Sequence, residues 1–188
     1  RAEDCGLRLD FQEVSRHHAI LRNVGDAFHI EDLGSTNGTF LNGHRVRRSQ
    51  LRDGDLIQIG NVVLVLEGGR VRHVHRKVYL PTYGMFDEGR YFAAGDRLQA
   101  FSTRLGRIGL LICEDFWHPS TSLVLAQDGA DYLLVLAAGP TEGIDRRGLS
   151  VHATWRDLAR VTAQMQTLFV IYANRVGFED GINFSGGS

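Results

Sequence analysis

Two polar runs decide the fold of the first part of this chain: Val14-Ser15-Arg16-His17-His18-Ala19 and Asp32-Leu33-Gly34-Ser35-Thr36-Asn37-Gly38-Thr39. Around them, short apolar segments are separated by turn residues, and helical periodicity is not found. The segments predicted as strands are residues 19–22, 27–32, 39–41, 56–59 and 62–66. This spacing predicts an antiparallel β-sandwich in the first part of the chain.

Turn residues between these segments tolerate positive φ, as hairpins require. Asn42-Gly43 and Asp53-Gly54 are predicted turns, and residues 67–70 form the only candidate turn at the end of the region. Asn42 is therefore interpreted as a hairpin residue rather than a ligand. Three arginines that follow it are expected in an exposed basic loop: Arg45, Arg47 and Arg48.

The two polar runs also carry the chemistry expected of an anion site. A phosphate dianion needs several charge-assisted donors on loops that a rigid scaffold holds together. Ser15 can donate a hydroxyl and Arg16 a guanidinium, while Thr36 and Asn37 come from the neighbouring loop. The runs therefore favour a local phosphate-binding site.

Taken together, the two runs resemble the forkhead-associated (FHA) domain, a phosphothreonine reader, over residues 1–67. The resemblance implies binding to a phosphothreonine-containing protein or peptide. It also implies that Asn37 holds the peptide backbone and that His18 is a buried support for the Ser15 loop. Arg1 matches a phosphate-gripping arginine of the family, but the family's preceding strand and glycine are missing here. The implied phosphopeptide-binding residues are Arg1, Ser15, Arg16, Thr36 and Asn37, with His18 and Gly38 as structural support.

After about residue 69 the pattern changes to strands that alternate with helical stretches, which predicts an α/β layer structure. Strands are predicted at 107–113, 132–138 and 169–173. Helices are predicted at 122–128 and 155–168. Residues 61–67 fit the last strand of the first region and equally a strand that leads into Lys77, so the boundary lacks an ordinary polar linker.

Three candidate catalytic residues occupy strand-like contexts in this second region: Lys77, Glu88 and Cys113. Cys113 ends an apolar run and precedes a turn. At such a position the sulfur can face a cleft while the backbone N–H groups that follow stabilise an oxyanion.

The runs at 76–88 and 109–117 resemble the nitrilase (carbon–nitrogen hydrolase) superfamily, and residues 174–177 and 184–188 continue the match. The resemblance implies a partial αββα domain at 68–188 that takes a small amide or nitrile substrate. Cys113 would be the nucleophile that forms a thioester. Lys77 would stabilise the tetrahedral intermediate, and Glu88 would position the lysine or the substrate.

The family's first glutamate, its general base, has no matching position, since the FHA motifs occupy the segment where it would lie. Glu31, Glu67 and Glu114 have carboxylates, but none has the family's sequence context. Three interpretations stay open. The chain is a phosphothreonine-binding module with a hydrolase remnant, an active amidase or nitrilase whose base comes from outside this chain, or a non-native junction at the 61–67 strand.

Composition limits the other functional classes. The 188 residues carry 21 basic and 22 acidic side chains, a net charge of -1, so neither nucleic acid nor a membrane is an expected partner. Cys5 and Cys113 lie far apart, which predicts no disulfide framework and no metal site. No cofactor, no signal peptide and a cytoplasmic location are expected, and an uncovered apolar sheet face would favour a homo-oligomer.

Overall fold

The computed structural model describes residues 14–15, 17–25, 27–141, 144–145, 148–179 and 181–188. It divides into two compact units, Arg1–Asp96 and Arg97–Ser188. Each unit has its own hydrophobic core. The domain boundary at 67/68 was set by sequence motifs and stays a prediction.

The described part of the first unit contains eight strands and one short helix. Three strands, β1 (Ala19–Val24), β2 (Ala27–Asp32) and β5 (Arg48–Gln50), form one antiparallel sheet in the order β1-β2-β5. The second antiparallel sheet has the order β4-β3-β6-β7-β8. Its strands are β3 (Thr39–Leu41), β4 (His44–Val46), β6 (Leu56–Ile59), β7 (Val62–Glu67) and β8 (Arg70–Arg76).

Apolar side chains from both sheets meet in one core. Ile30 on β2 joins Ile57 on β6 and Val62 and Leu64 on β7 in this cluster. Each such side chain contributes about 1.5–3 kcal/mol through its burial. Residues 62–66 of β7 are all buried, which suits the continuous apolar run in the sequence. The prediction that the first region is rich in sheet is confirmed.

Two predicted turns have the positive φ angles that their residues suggested. Asn42 (φ 50°) and Gly43 (φ 80°) join β3 to β4. Gly68 (φ 59°) and Gly69 (φ 68°) join β7 to β8. Positive φ at both central residues matches the right-handed twist of the flanking strands.

The expected basic loop is wrong in part, because Arg45 lies on β4 and Arg48 on β5. Arg45 pairs with Phe40 across the ladder, and Arg48 pairs with Glu31. Backbone hydrogen bonds to β3 and β2 hold these strands, so they need no apolar alternation. The arginine side chains remain exposed, as expected.

The second unit begins with β9 (Phe101–Thr103) and β10 (Gly106–Ile112), then a 3₁₀ turn (Cys113–Trp117) and α2 (Pro119–Gln127). The short α1 (Glu88–Tyr91) belongs to the first unit. After α2 follow β11 (Tyr132–Ala137), the short β12 (Ile144–Asp145) and β13 (Gly148–Leu149), and α3 (Ser150–Gln166). The described part closes with β14 (Phe169–Asn174), β15 (Val176–Glu179) and β16 (Ile182–Ser185).

Strands β10, β11 and β14 run parallel in a sheet of order β14-β11-β10-β9. Helices α2 and α3 are the crossovers, as parallel strands require. Leu111, Leu133 and Val135 from the sheet pack with Leu125 of α2 and Trp155 of α3. The predicted alternation of strands and helices is confirmed, although α3 begins at Ser150 rather than at residue 155.

Among the described residues, no helix has the length and apolarity needed to cross a bilayer. In the same part of the chain, no group of three or more His, Cys, Asp or Glu side chains is arranged to hold a metal ion.

Candidate functional site

The two polar loops of the first unit are joined by His18, which is buried. Its Nδ1 accepts a hydrogen bond from the Ser15 backbone N–H (3.2 Å), so Nε2 carries the proton and donates to the Gly38 carbonyl (3.1 Å). The Thr36 backbone N–H donates to Ser15 Oγ (3.3 Å). One imidazole therefore fixes the Ser15 loop against the Thr36–Gly38 loop, as the FHA resemblance implied for a supporting histidine.

A carboxylate that the sequence reading missed, Asp32, organises the second loop. It accepts hydrogen bonds from the backbone N–H groups of Gly34 and Ser35 (both 2.9 Å). The hydroxyls of Ser35 (2.5 Å) and Thr39 (2.7 Å) also donate to it. Burial alone would raise the pKa of Asp32, but these hydrogen bonds outweigh it and lower the pKa below its ordinary value.

The groups that could meet a ligand lie at the surface of this framework. Thr36 and Asn37 are exposed and Ser15 is half-buried, whereas Ser35 and Gly38 are buried. The Ser35 hydroxyl accepts from the Gly38 N–H (3.0 Å), so it serves the loop rather than the surface. Two predicted phosphate contacts, Arg1 and Arg16, lie outside the described residues.

Lys77 and Glu88 are brought together in the first unit. The ammonium Nζ donates to both carboxylate oxygens of Glu88 (2.7 Å each). The Lys77 side chain is 4% exposed and that of Glu88 is 22% exposed. The pair is anchored through its backbone, since the Lys77 N–H donates to the Asn61 carbonyl (3.1 Å) and the Glu88 N–H to the Pro81 carbonyl (3.0 Å).

Cys113 belongs to the second unit, where it follows the last residue of β10. Its φ of 47° lies in the left-handed region, which costs a residue with a side chain about 1 kcal/mol or more. Asp115, fully buried, braces the turn by accepting the Ile112 N–H (3.1 Å). Cys113 is half-buried and begins the 3₁₀ turn, so backbone N–H groups follow it directly.

The predicted strand-like contexts of the three candidates need correction. Lys77 follows β8, Glu88 opens α1, and Cys113 opens the 3₁₀ turn, one residue after β10 ends. Lys77 and Cys113 each lie one residue beyond the end of a strand, whereas Glu88 lies on a helix.

Aromatic rings surround the Cys113 turn within the second unit. Trp155 stacks on Tyr172 (centroids 4.9 Å apart) and meets Trp117 edge-on (5.0 Å). Burial and then the negative charge of a Cys113 thiolate raise the pKa of Tyr172 above its ordinary value. The Tyr172 hydroxyl is buried without a hydrogen-bond partner among the described residues.

Asn174, at the end of β14, ties the neighbouring loops together. Its Oδ1 accepts the Gly139 N–H (2.9 Å), its Nδ2 donates to the Gly186 carbonyl (2.8 Å), and its N–H donates to Ser188 Oγ (2.9 Å). The sequence motif that contains Asn174 therefore shapes the edge at the carboxyl ends of β11 and β14.

The other carboxylates considered for proton transfer are engaged elsewhere. Glu31 pairs with Arg22 (3.6 Å) and Glu67 with Arg72 (2.9 Å). Glu114 lies 3.6 Å from His118 Nε2. Each of the three carboxylates thus lies beside a basic side chain of its own neighbourhood.

Two structural aspartates, Asp32 and Asp115, were missed from the sequence. For Asp32, the signal was its position two residues before Gly34, the spacing of an Asx turn. Asp115 follows Cys113 by two residues and reaches back to Ile112, a contact that short-range pattern alone does not predict.

Comparison with known proteins identifies the two regions. Residues 1–60 match the family model of the FHA domain. The oxoglutarate dehydrogenase inhibitor of Corynebacterium jeikeium is 44% identical over 69 residues, which cover 37% of this chain and 48% of that protein. Similarity to a second class of protein covers a larger share of the chain.

The glutamine-dependent NAD(+) synthetase of Thermotoga maritima is 34% identical over 131 residues, 68% of this chain and 22% of that protein. The crystal structure of a carbon–nitrogen hydrolase from Helicobacter pylori G27 matches with a TM-score of 0.59 and 29% identity, over 70% of this chain and 48% of that one. The chain joins an FHA domain to a carbon–nitrogen-hydrolase-like region.

This chain spans less than half the length of each of these three relatives. The FHA domain carries the Ser15 and Thr36–Gly38 loops. The sequence motifs that resemble the hydrolase family include Lys77, Glu88 and Cys113.

Proposed function

We propose that the FHA domain binds phosphothreonine-containing peptides through the Ser15 loop and the Thr36–Gly38 loop. The observation that carries the proposal is the link between these loops, in which His18 holds both and the Thr36 N–H meets Ser15 Oγ. Donors on two loops fixed in this way are organised before a ligand arrives, so binding loses little entropy.

In the proposed complex, Ser15 Oγ and the Thr36 groups donate to phosphate oxygens, and Arg1 and Arg16 supply positive charge. Asn37, which is exposed, holds the peptide backbone through its amide. The two sheets then act as a β-sandwich scaffold that keeps the loops at one end. Charge-assisted hydrogen bonds to phosphate are the strong term in such recognition.

Calorimetric titration of the chain with a phosphothreonine peptide and its unphosphorylated twin tests the proposal. We expect binding of the phosphopeptide alone, with an affinity at least ~10-fold lower in Ser15→Ala and in Asn37→Ala because each removes a charge-assisted or backbone contact. Equal affinity for the two peptides would overturn the proposal.

Matched controls are available in the same unit. Ser49 on β5 donates only to the neighbouring Gln50 carbonyl (3.3 Å), and Asn23 on β1 is exposed near the far end of the sheet. Ser49→Ala and Asn23→Ala remove the same groups away from the loops, so both variants should bind like the parent chain.

A second proposal concerns the hydrolase-like region, which we propose takes part in cleaving a C–N bond of a small amide or nitrile. Its support is the Cys113 backbone, held at φ 47° with N–H groups following it. On an amide, the Cys113 thiolate would attack the carbonyl carbon and these N–H groups would stabilise the oxyanion, after which the C–N bond breaks, an amine leaves and a thioester remains. The catalytic roles that the family resemblance implies for Lys77 and Glu88 stay predictions. The sheet of this region would be part of an αββα arrangement.

The proton for the leaving amine needs a general acid, and we propose that a carboxylate from outside this chain supplies it. Loss of such a group reduces a rate by ~10²–10⁴-fold. Ammonia release from simple amides should therefore be weak for the chain alone and absent in Cys113→Ala. Release that survives this substitution would contradict the assignment of Cys113 as nucleophile.

A further inference from the structure

Arg45, which the family motif does not include, lies against the Thr36–Gly38 loop. Gly38 has a φ of 81°, and a Cβ built on it would lie 2.6 Å from Arg45 Nε and 3.0 Å from Cζ. The guanidinium therefore covers the face of Gly38 that any other residue would fill with a side chain. Glycine at position 38 makes room for Arg45 as well as for the turn.

The Arg45 side chain has no carboxylate partner within the described part of the chain. It is exposed on β4, and its only described pairing is the backbone ladder to Phe40. Surface arginines of this unit such as Arg22 and Arg72 do have partners, Glu31 and Glu67. A guanidinium held over a binding loop with its donors unused can meet an anion from a ligand.

The position of Arg45 along the loop indicates which part of a ligand it meets. Ser15 Oγ contacts the loop at Thr36, whereas Arg45 contacts it at Gly38, two residues further on. Two residues of chain span at most about 7 Å, which is about two positions of an extended peptide. Arg45 is thus placed for a side chain within about two positions of the phosphothreonine rather than for the phosphate itself.

We propose that Arg45 gives the FHA domain a preference for phosphothreonine peptides with an acidic side chain beside the phosphothreonine, an inference that rests on the phosphothreonine binding proposed above. The Asp32 carboxylate holds this loop in place, since it accepts the Gly34 and Ser35 N–H groups and the Ser35 hydroxyl. The backbone N–H of Asp32 also donates to the Arg47 carbonyl (2.9 Å). A second exposed arginine, Arg47, is thereby held next to the start of this loop.

The test uses phosphothreonine peptides flanked on both sides by Glu, by Gln or by Lys, each with an unphosphorylated twin. Affinities are measured for the full chain, for Arg45→Glu and Arg45→Gln, and for Arg70→Glu as control. Arg70 is exposed at the β7–β8 turn, where Gly69 lies against Phe28, at the end of β2 away from Asp32. The control makes the same change of net charge far from the loop.

The parent chain and Arg70→Glu should bind the Glu-flanked phosphopeptide roughly 3- to 10-fold more tightly than the Lys-flanked one, a range typical of one exposed charge pair and its reversal. Arg45→Gln should lose this preference and Arg45→Glu should invert it. Both variants should still require the phosphate, which shows that the loops remain folded.

An unchanged preference for Glu in Arg45→Glu would overturn the role of Arg45 while leaving phosphothreonine binding intact. A parent chain that binds the Gln-flanked phosphopeptide no better than its twin would instead overturn the proposed function, and the inference with it. The affinities of the Gln-flanked phosphopeptide and of its unphosphorylated twin are enough to distinguish the two failures.

Discussion

The Thr36–Gly38 loop and the Cys113 turn are built on the same plan but differ in what they need from the rest of the protein. Each follows a strand, and each is braced by a buried or half-buried aspartate, Asp32 or Asp115, that accepts backbone N–H groups. The FHA loop has its described partners on adjacent loops of one unit. The motif residues of the hydrolase-like region are divided between two units, and none of Glu31, Glu67 and Glu114 has the sequence context of the family's general base.

The contrast shows why binding depends on fewer parts than catalysis does. A phosphate site requires donors on neighbouring loops, and His18 alone aligns two of these loops. Hydrolysis requires a nucleophile, an oxyanion stabiliser and a proton carrier at one carbon atom, each from a different segment of the chain. Substitutions in each region test this difference.

The largest effect is expected at the Lys77–Glu88 pair. Glu88→Gln leaves a buried ammonium without its carboxylate, which should destabilise the first unit by about 3 kcal/mol. In a unit of this length, Arg1–Asp96, a change of this size lowers Tm by roughly 12–24 °C. Thermal unfolding followed by circular dichroism measures it.

The neighbouring residue gives the control. Asp87 and Arg90 form an exposed pair 4.0 Å apart, so Asp87→Asn should cost less than about 0.5 kcal/mol. Equal shifts in Tm for the two variants would mean that the Lys77–Glu88 pair contributes no more than a surface contact.

A smaller effect is expected at Asp32. Asp32→Ala leaves the Gly34 and Ser35 N–H groups and the Ser35 and Thr39 hydroxyls without their shared acceptor, at a cost of about 2 kcal/mol. Phosphopeptide affinity should fall by at least ~10-fold, since a loss of 1.4 kcal/mol in loop order has that effect. Urea unfolding and calorimetry together measure both changes.

The same strand offers a comparison for Asp32. Glu31 forms only a partly exposed pair with Arg22, so Glu31→Ala should leave both stability and affinity almost unchanged. If Asp32→Ala behaves like Glu31→Ala, the hydrogen-bond network does not organise the loop.

Sequence pattern predicted the parts of the fold that depend on apolar alternation. The predicted bounds of β2, β3 and β6 agree with the structure, because Ile30, Leu41 and Ile57 point into the core at the spacing that strands impose. Strands β4 and β5 were missed because their ladders join arginine-rich segments. Such segments become strands through hydrogen bonds to neighbouring strands, and their local sequence gives no sign of these bonds.

The candidate site was predictable to a similar degree. The motifs named Ser15, His18 and Cys113, and the structure gives His18 the supporting contacts that the FHA resemblance implied. The left-handed backbone of Cys113 and the approach of Arg45 to Gly38 could not be predicted. The first belongs to a local turn that Asp115 braces and the second to the β3–β4 hairpin, and apolar periodicity signals neither.

The smallest effect concerns pH. Burial, followed by repulsion from His75, lowers the pKa of His73 on β8 from 6.5 to about 4. His73 is therefore neutral in the folded chain, and the unfolded chain binds more protons between these values. Its contribution to stability is complete above pH 6.5 and is lost as pH falls toward 4.

His73→Gln should therefore show a smaller fall in Tm between pH 7.5 and pH 5 than the parent chain. His44→Gln, at an exposed position on β4, serves as control and should keep the fall of the parent chain. An equal fall in all three proteins would show that His73 does not couple folding to pH.

The most direct test of the central claim, that the Ser15 loop and the Thr36–Gly38 loop form a phosphothreonine site, is NMR of the labelled full chain during titration with a phosphothreonine peptide. We predict saturable shifts of the amide resonances of Ser15 and of Thr36–Gly38, and none with the unphosphorylated twin. Identical shifts with both peptides, or no shifts in a well-dispersed spectrum, would contradict the claim.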